Sequence, residues 1–312
     1  MIRFLKHDEI NKEQWDKCIH EAFNGLIYAY SWYLDSVSED WEALVEGDYE
    51  RVFPLTHRKK FFINYLYQPF FTQQLGVFSK SLLTEQITNS FIDALPAKYK
   101  FAEINLNSHN KLDLSNHQLI PLLNHELDLI DTYENIAGRY SQNIKRNIKK
   151  AKNSGVTIVN NIRPDDIIDL FISNKGKAIR TLNDKDYLMF KRLVYTSMYK
   201  GMARVIGAYT EENELCAGAI ILVSHHRATF IFSATNQIAK ANGAMSLLID
   251  TFIYENAGSR LTFDFEGSND PDLARFYKSF GSKEVYYHML RFNKLPWPVN
   301  IGVRLIKAFG TS

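Results

Sequence analysis

The sequence predicts an α/β (α+β) protein built as two tandem units, each a mixed central sheet flanked by helices. Three observations carry this expectation. Segments of strand period and helix period follow one another as hairpin, strand, helix, strand, in the same order in both halves. The chain has 312 residues, long for one hydrophobic core and ordinary for two. Its composition, 46% hydrophobic and 23% charged, suits buried cores and excludes an intrinsically disordered chain.

In the first half, residues 41–46 and 51–55 flank Gly47-Asp48, a dipeptide that accepts tight-turn geometry, and together they predict a β-hairpin. The apolar stretch 62–67 follows as a strand. Across 82–95, Leu83, Ile87, Phe91 and Leu95 make an i, i+4 ladder, the spacing of a helix packed on a sheet, and 101–106 alternate as the next strand. A strand at 126–130 ends the unit. The divide is placed between residues 134 and 135, giving units 1–134 and 135–312.

The second half repeats the order. Residues 204–209, a polar turn at 211–214 and the apolar run 217–223 read as paired strands, and 228–234 as a third. Leu247, Leu248, Thr251 and Phe252 predict a helix over 244–255, before a strand at 261–265. His225-His226 reads as a hairpin turn without metal-ligand spacing.

Charge and cysteine content narrow the function classes. There are 37 Lys plus Arg against 35 Asp plus Glu, a net charge of +2, so any attraction for a polyanion must be local. Cys18 and Cys216 are too few for a disulfide scaffold or a four-cysteine zinc site; the expected setting is a reducing cytoplasm, with no metal. The N-terminus meets charge too early for a signal peptide. The longest apolar run has seven residues, against about 20 for a membrane-spanning helix, so no integral membrane segment is expected. A basic, amphipathic stretch at 295–307 either docks on its own protein or touches a membrane surface.

Residues 263–281 carry the richest pattern: strand, turn, helix, stop. Asp270 is placed as an N-cap, Pro271 as the first helical residue and Gly281 as the stop. Leu273, Phe276, Tyr277 and Phe280 share one helix face against the sheet. Asp264 and Glu266, two apart, share one strand face. Glu266, nearer the strand end, is the candidate base for an acceptor, while Asp264 reads as a carboxylate holding backbone or basic neighbours. Ser268 and Asn269 read as turn caps. In the first half, Tyr65, Tyr67, Gln68, Gln73 and Gln74 surround Pro69-Phe70-Phe71 in a polar and aromatic loop suited to lining a ligand cleft. Residues 139–152 hold six basic side chains and no acid, with Ile144, Ile148 and Ala151 on one helix face and Lys145, Arg146 and Lys149 on another. That face is either a solvated surface or a phosphate-binding stripe.

Asn269, Ala274, Tyr277 and Gly281 resemble the last strand-helix motif of the GNAT acyltransferase superfamily. The resemblance implies that Tyr277 is the general acid protonating a departing coenzyme A thiolate; packing in the core is the alternative reading for the same side chain. It also implies acetyl-CoA or another acyl-CoA as co-substrate. Its pyrophosphate would bind near 237–245, through Lys240, Asn242, Gly243 and Ala244, with Asn269 nearby. That stretch departs from the superfamily's glycine-rich pattern, with Asn242 at a Gly position. From 127 to 291 the chain also resembles the Fem (FemABX) aminoacyltransferases and the CelD-like acetyltransferases, built from two GNAT-like units whose second unit is entered through a basic helix. Fem-type enzymes read Phe-Lys-x-x-Phe-Gly at the last helix, whereas Tyr277 stands at the Lys position here.

These resemblances imply an acyltransferase acting on an amine or hydroxyl of a small-molecule or cell-envelope or polysaccharide precursor. The second unit would carry Tyr277 and Glu266, and the first would contact the acceptor through Tyr67, Gln68 and Gln73. Two alternatives stand beside it: a Fem-like enzyme using aminoacyl-tRNA on a peptidoglycan peptide, with tRNA on Lys145, Arg146 and Lys149, and a non-catalytic ligand-binding protein.

Overall fold

Gly47, at φ +59°, closes the expected first hairpin, whose strands pair from Glu42↔Leu55 to Glu46↔Arg51. The computed structural model describes residues 1–60, 62–113, 117–174, 182–267 and 269–295. It forms two units: residues 1–121 with the described residues from Tyr287 onward, and residues 122–286.

In chain order the first unit holds β1 (Ile2–Leu5), α1 (Lys12–Glu21), α2 (Ser31–Val37), β2 (Glu42–Glu46), β3 (Arg51–Leu55), β4 (His57–Lys60), β5 (Ile63–Tyr67), β6 (Phe78–Ser79), α3 (Glu85–Asp93) and β7 (Tyr99–Leu106). Thr84 caps α3 by accepting from the Ile87 amide, and Phe91 is fully buried. Leu83, Ile87 and Leu95 pack partly buried on the same core, so the ladder does face the sheet. The strands divide between two sheets. One is antiparallel, in the order β1-β2-β3-β6; the other is mixed, with β4 antiparallel to β5 and β5 parallel to β7. The chain changes sheet at Thr56, whose hydroxyl donates to the Tyr67 carbonyl at 2.6 Å.

The second unit holds β8 (Gln118–Asp128) from Leu122 on, α4 (Tyr133–Gly138), α5 (Gln142–Asn153), β9 (Thr157–Asn160), α6 (Pro164–Asn174), α7 (Asp184–Tyr199), β10 (Ala203–Tyr209), β11 (Leu215–Ser224), β12 (Arg227–Thr235), α8 (Gln237–Asn242), α9 (Ala244–Asn256), β13 (Thr262–Asp264) and α10 (Pro271–Lys278), with β14 (Lys283–Asn293) belonging from Tyr287 onward to the first unit. Its strands run β8-β13-β12-β11-β10-β9; β12 and β13 are parallel, joined by α8 and α9, and the other pairs are antiparallel. His225 and His226, both at positive φ, make the turn between β11 and β12. The divide placed at 134/135 falls inside α4, because Leu127 and Leu129 ahead of it already share a buried core with Ile136, Ile144 and Phe263. From His288 onward, β14 pairs with β7 of the first unit's mixed sheet. No described helix is long and apolar enough to cross a membrane, and residues 296–312, with all of the basic C-terminal stretch beyond Leu295, lie outside the described residues.

Gly243 joins α8 to α9 at φ +82°, and a Cβ there would sit 2.6 Å from the Asn147 carbonyl oxygen of α5. Both the left-handed backbone and the close approach of a rigid carbonyl exclude a larger residue. Gly243→Ala is expected to cost about 1–3 kcal/mol, lowering the thermal midpoint by several degrees. An unchanged midpoint in differential scanning calorimetry would contradict the close α5 contact.

Candidate active site

The central parallel strands separate early. β12 and β13 pair only from Arg227↔Thr262 to Thr229↔Asp264; β13 then ends while β12 runs on to Thr235. Just beyond the last pair the β11–β12 register slips, Ile220 facing Phe232 and Ile221 facing Phe230, so Ile231 is the extra residue of a bulge. A cavity of about 460 Å³ lies beside this end of β12, bordered by Phe230, Ser233 and Thr235. Lys240, Gly243, Met245 and Ser246 of the α8–α9 segment form a second wall; Asn147, Phe171 and Asn174 come from α5 and α6; Leu273, Phe276 and Tyr277 come from α10. Crevices at the carboxyl ends of diverging parallel strands are the usual ligand sites of such sheets.

The expected capping holds α10 in place. The Asp270 carboxylate accepts from the Asp272 and Leu273 amides at 2.9 and 3.2 Å, Pro271 starts the helix, and Gly281 stops the chain at φ +79°. Tyr277 is 5% exposed and its ring stacks on Phe265 at 4.8 Å. Its hydroxyl has no hydrogen-bond partner among the described residues. Burial, then the nearby Glu266 and Asp270 carboxyls, hold its ionisation above the ordinary phenol range, so it stays a proton donor at neutral pH. Leu273 departs from the expected packing: it is exposed and borders the cavity rather than the sheet.

Asp264 and Glu266 do not share an environment. β13 ends at Asp264, and Glu266 and Gly267 are both left-handed, at φ +51° and +54°, which breaks the two-residue alternation assumed for a strand. Asp264, 2% exposed, accepts from Arg227 Nη1 at 2.8 Å and from Asn124 Nδ2 at 2.8 Å; Arg227 also pairs with Glu126 at 2.7 Å. Asp264 Oδ1 further accepts from the Glu266 amide at 3.0 Å, fixing the turn. The Glu266 carboxyl acts on Tyr277, and burial pushes it up to about 8.

Of the residues assigned to pyrophosphate, Lys240 and Gly243 border the cavity. The Gly243 amide already donates to the Ala239 carbonyl at 3.0 Å, and the Ala244 amide to Asn242 Oδ1 at 2.9 Å. Asn269 Oδ1 accepts from the Leu123 amide at 3.0 Å, tying the turn before α10 to β8; Ser268 lies outside the described residues. On α5, Lys145, Arg146 and Lys149 are exposed, with Lys145 donating to the Gly138 carbonyl and Arg146 to Asn143. In the first unit, the Arg58 guanidinium lies 4.2 Å over the Tyr67 ring. Gln68 donates to the Thr72 carbonyl and accepts from the Asn105 amide, while the Gln73 carbonyl accepts from Asn105 Nδ2. No cluster of three metal-ligating side chains occurs among the described residues.

Asn147, Phe171 and Asn174 border the cavity but are not among the residues that the sequence motifs mark as candidates. Asn147 sits beside Ile148 on the amphipathic helix, a polar residue at the edge of its buried stripe, which was a usable signal; nothing local marks the other two.

Splayed parallel strands, a bulge and a capped tyrosine helix over the gap frame the cavity, within a fold shared with FemX. The chain is similar to FemX at 12% identity, with a TM-score of 0.64 over 92% of this chain and 96% of that one. It is also similar to the C-terminal domain of an Agrobacterium fabrum protein named as a lysylphosphatidylglycerol synthetase, at 11% identity and TM-score 0.57 over 96% and 95% of the two chains. A third solved structure, L-PGS from Bacillus licheniformis, aligns at 9% identity and TM-score 0.51 over 95% of each chain. At such identities the likeness establishes the fold alone. No family model and no curated protein matches the sequence.

Proposed function

We propose that the protein is an acyltransferase that moves an acyl group from acyl-CoA to an amine or hydroxyl of a cell-envelope or polysaccharide precursor. The observation carrying this reading is Tyr277, a buried phenol with an unbonded hydroxyl bordering a cavity at the diverging ends of β12 and β13, with Glu266 close by. The acceptor attacks the thioester carbonyl carbon and the carbon–sulfur bond breaks. Glu266 takes the acceptor proton, and Tyr277 gives its own to the leaving thiolate. Backbone amides of β12 beyond Thr229, where β13 no longer pairs, polarise the carbonyl, and Lys240 meets a phosphate. The likeness to a protein named for lysylphosphatidylglycerol synthesis supports an envelope acceptor. In this reading the acyl-CoA donor sets the reaction in the cytoplasm.

Titration calorimetry with acetyl-CoA and CoA tests the donor. Binding at micromolar Kd is expected, and no heat at millimolar ligand sinks the reading. The exposed cations Lys145, Arg146 and Lys149 favour a second reading, in which aminoacyl-tRNA is the donor and a peptidoglycan peptide the acceptor. Salt-sensitive binding of charged tRNA, with no response to CoA, would select it.

The Glu266 assignment predicts a pH dependence. A base must be ionised, and this carboxyl loses its proton only near pH 8. kcat/KM is therefore expected to rise through about pH 8, and Glu266→Gln to abolish the rise; a profile flat from 6 to 9 contradicts the role. The stability sign is opposite. The folded carboxyl keeps its proton up to about 8 and the unfolded one only to about 4.5, so its contribution is complete below 4.5 and lost as pH rises toward 8.

A further inference from the structure

We infer that the cavity beside Tyr277 is built for a donor whose acyl group is uncharged and apolar, and that it rejects a cationic aminoacyl group. The inference rests on the acyl-CoA reading and narrows it. Phe171, Phe230, Leu273 and Phe276 supply the apolar part of the lining, and its polar side chains other than Lys240 are neutral amides and hydroxyls. Lys240 is the one charged residue bordering the cavity among the described residues, and no carboxylate borders it.

The acids around Tyr277 do not supply the missing counter-charge: the Asp270 carboxylate, near enough to act on Tyr277, caps α10 by accepting from the Asp272 and Leu273 amides. Asp264 and Glu126 are both spent on Arg227, at 2.8 and 2.7 Å. Glu266 is outside the lining and holds its proton at neutral pH because its carboxyl is buried. A protonated amine entering this space would lose its hydration and meet only neutral groups and a second cation, an arrangement that strongly disfavours burial of charge. An alkyl chain of the same size loses nothing polar and gains contact with the aromatic rings. Lys240 has the opposite effect on the other part of the donor, since a single ammonium beside a cavity favours a phosphate.

A matched pair of stable thioethers isolates the acyl group. S-butyl-CoA and S-(3-aminopropyl)-CoA have tails of equal heavy-atom count, one apolar and one cationic at pH 7. Calorimetry on the full chain is expected to give at least about ten-fold tighter binding for the butyl compound, the scale on which a pocket separates groups that leave a charge or polar atom unpaired. Equal affinity, or tighter binding of the aminopropyl compound, overturns the inference while leaving the acyl-CoA reading intact. Failure of CoA and both thioethers to bind removes that reading and the inference with it. Leu273→Glu supplies a second arm. This side chain is 38% exposed at the cavity border, so the change is compatible with folding, which circular dichroism checks. It is expected to shrink the butyl preference to about two-fold or reverse it, because a counter-charge then faces the amine; an undiminished preference in a folded variant contradicts an electrostatic origin.

Discussion

Tyr277→Phe is expected to lower kcat by about 10²–10⁴-fold while leaving thermal stability and the Kd for acetyl-CoA nearly unchanged. The geometry separates the two roles that one tyrosine can play. Its packing is done by the ring, stacked on Phe265 and edge-on to Phe230, and phenylalanine preserves both contacts. The hydroxyl bonds to no described residue, so its removal strands no buried partner and costs the fold little. What is lost is a proton held ready beside the cavity. A variant with wild-type kcat would return Tyr277 to the core, and one that also melts much earlier would reveal a structural hydroxyl. Tyr277→Ala is the contrasting control: deletion of the buried ring is expected to cost about 3–5 kcal/mol and obscure any catalytic effect.

That motif was also the most legible part of the chain, and its neighbourhood shows where legibility stops. Asp270, Pro271 and Gly281 mark the ends of α10 by side-chain chemistry and backbone preference, which are local properties. The strands flanking α9 follow equally from their apolar runs. Strand alternation carried through residue 266 puts Glu266 on the Asp264 face, but β13 ends at Asp264, and the left-handed turn that ends it leaves no mark in the identity of a glutamate. Gly243 carries a structural demand that the sequence does not display. Its positive φ and its contact with Asn147 account for the glycine, and that contact joins residues nearly a hundred positions apart. The cavity itself depends on the bulge at Ile231, on α6 packing against β12 and on α5 packing against α8 and α9, a tertiary coincidence that no window of sequence contains. In the first unit the same limit applies at Thr56, where an ordinary polar residue carries the chain from one sheet to the other.

Arg227→Leu is expected to destabilise the second unit by about 3–5 kcal/mol, the scale for removing one member of a buried ion pair. Burial pulls the guanidinium toward neutrality, but Asp264 and Glu126 more than offset this and hold it charged above even the ordinary arginine range. Leucine would leave both carboxylates with no cation, one of them 2% exposed in the middle of the sheet. The penalty is therefore expected to shrink as pH falls, because a lone buried carboxyl can take a proton and cease to be a charge. Adding Asp264→Asn to Arg227→Leu tests the assignment directly: the double variant should be more stable than the sum of the single effects predicts, by about 1–3 kcal/mol, since the second change removes a charge stranded by the first. Strict additivity in urea unfolding would show that the two do not act as a pair. The consequence extends to activity, because Asp264 Oδ1 also holds the Glu266 amide at the left-handed turn. Loss of Arg227 should move the apparent pKa of kcat/KM away from about 8, a change that a purely structural ion pair leaves untouched.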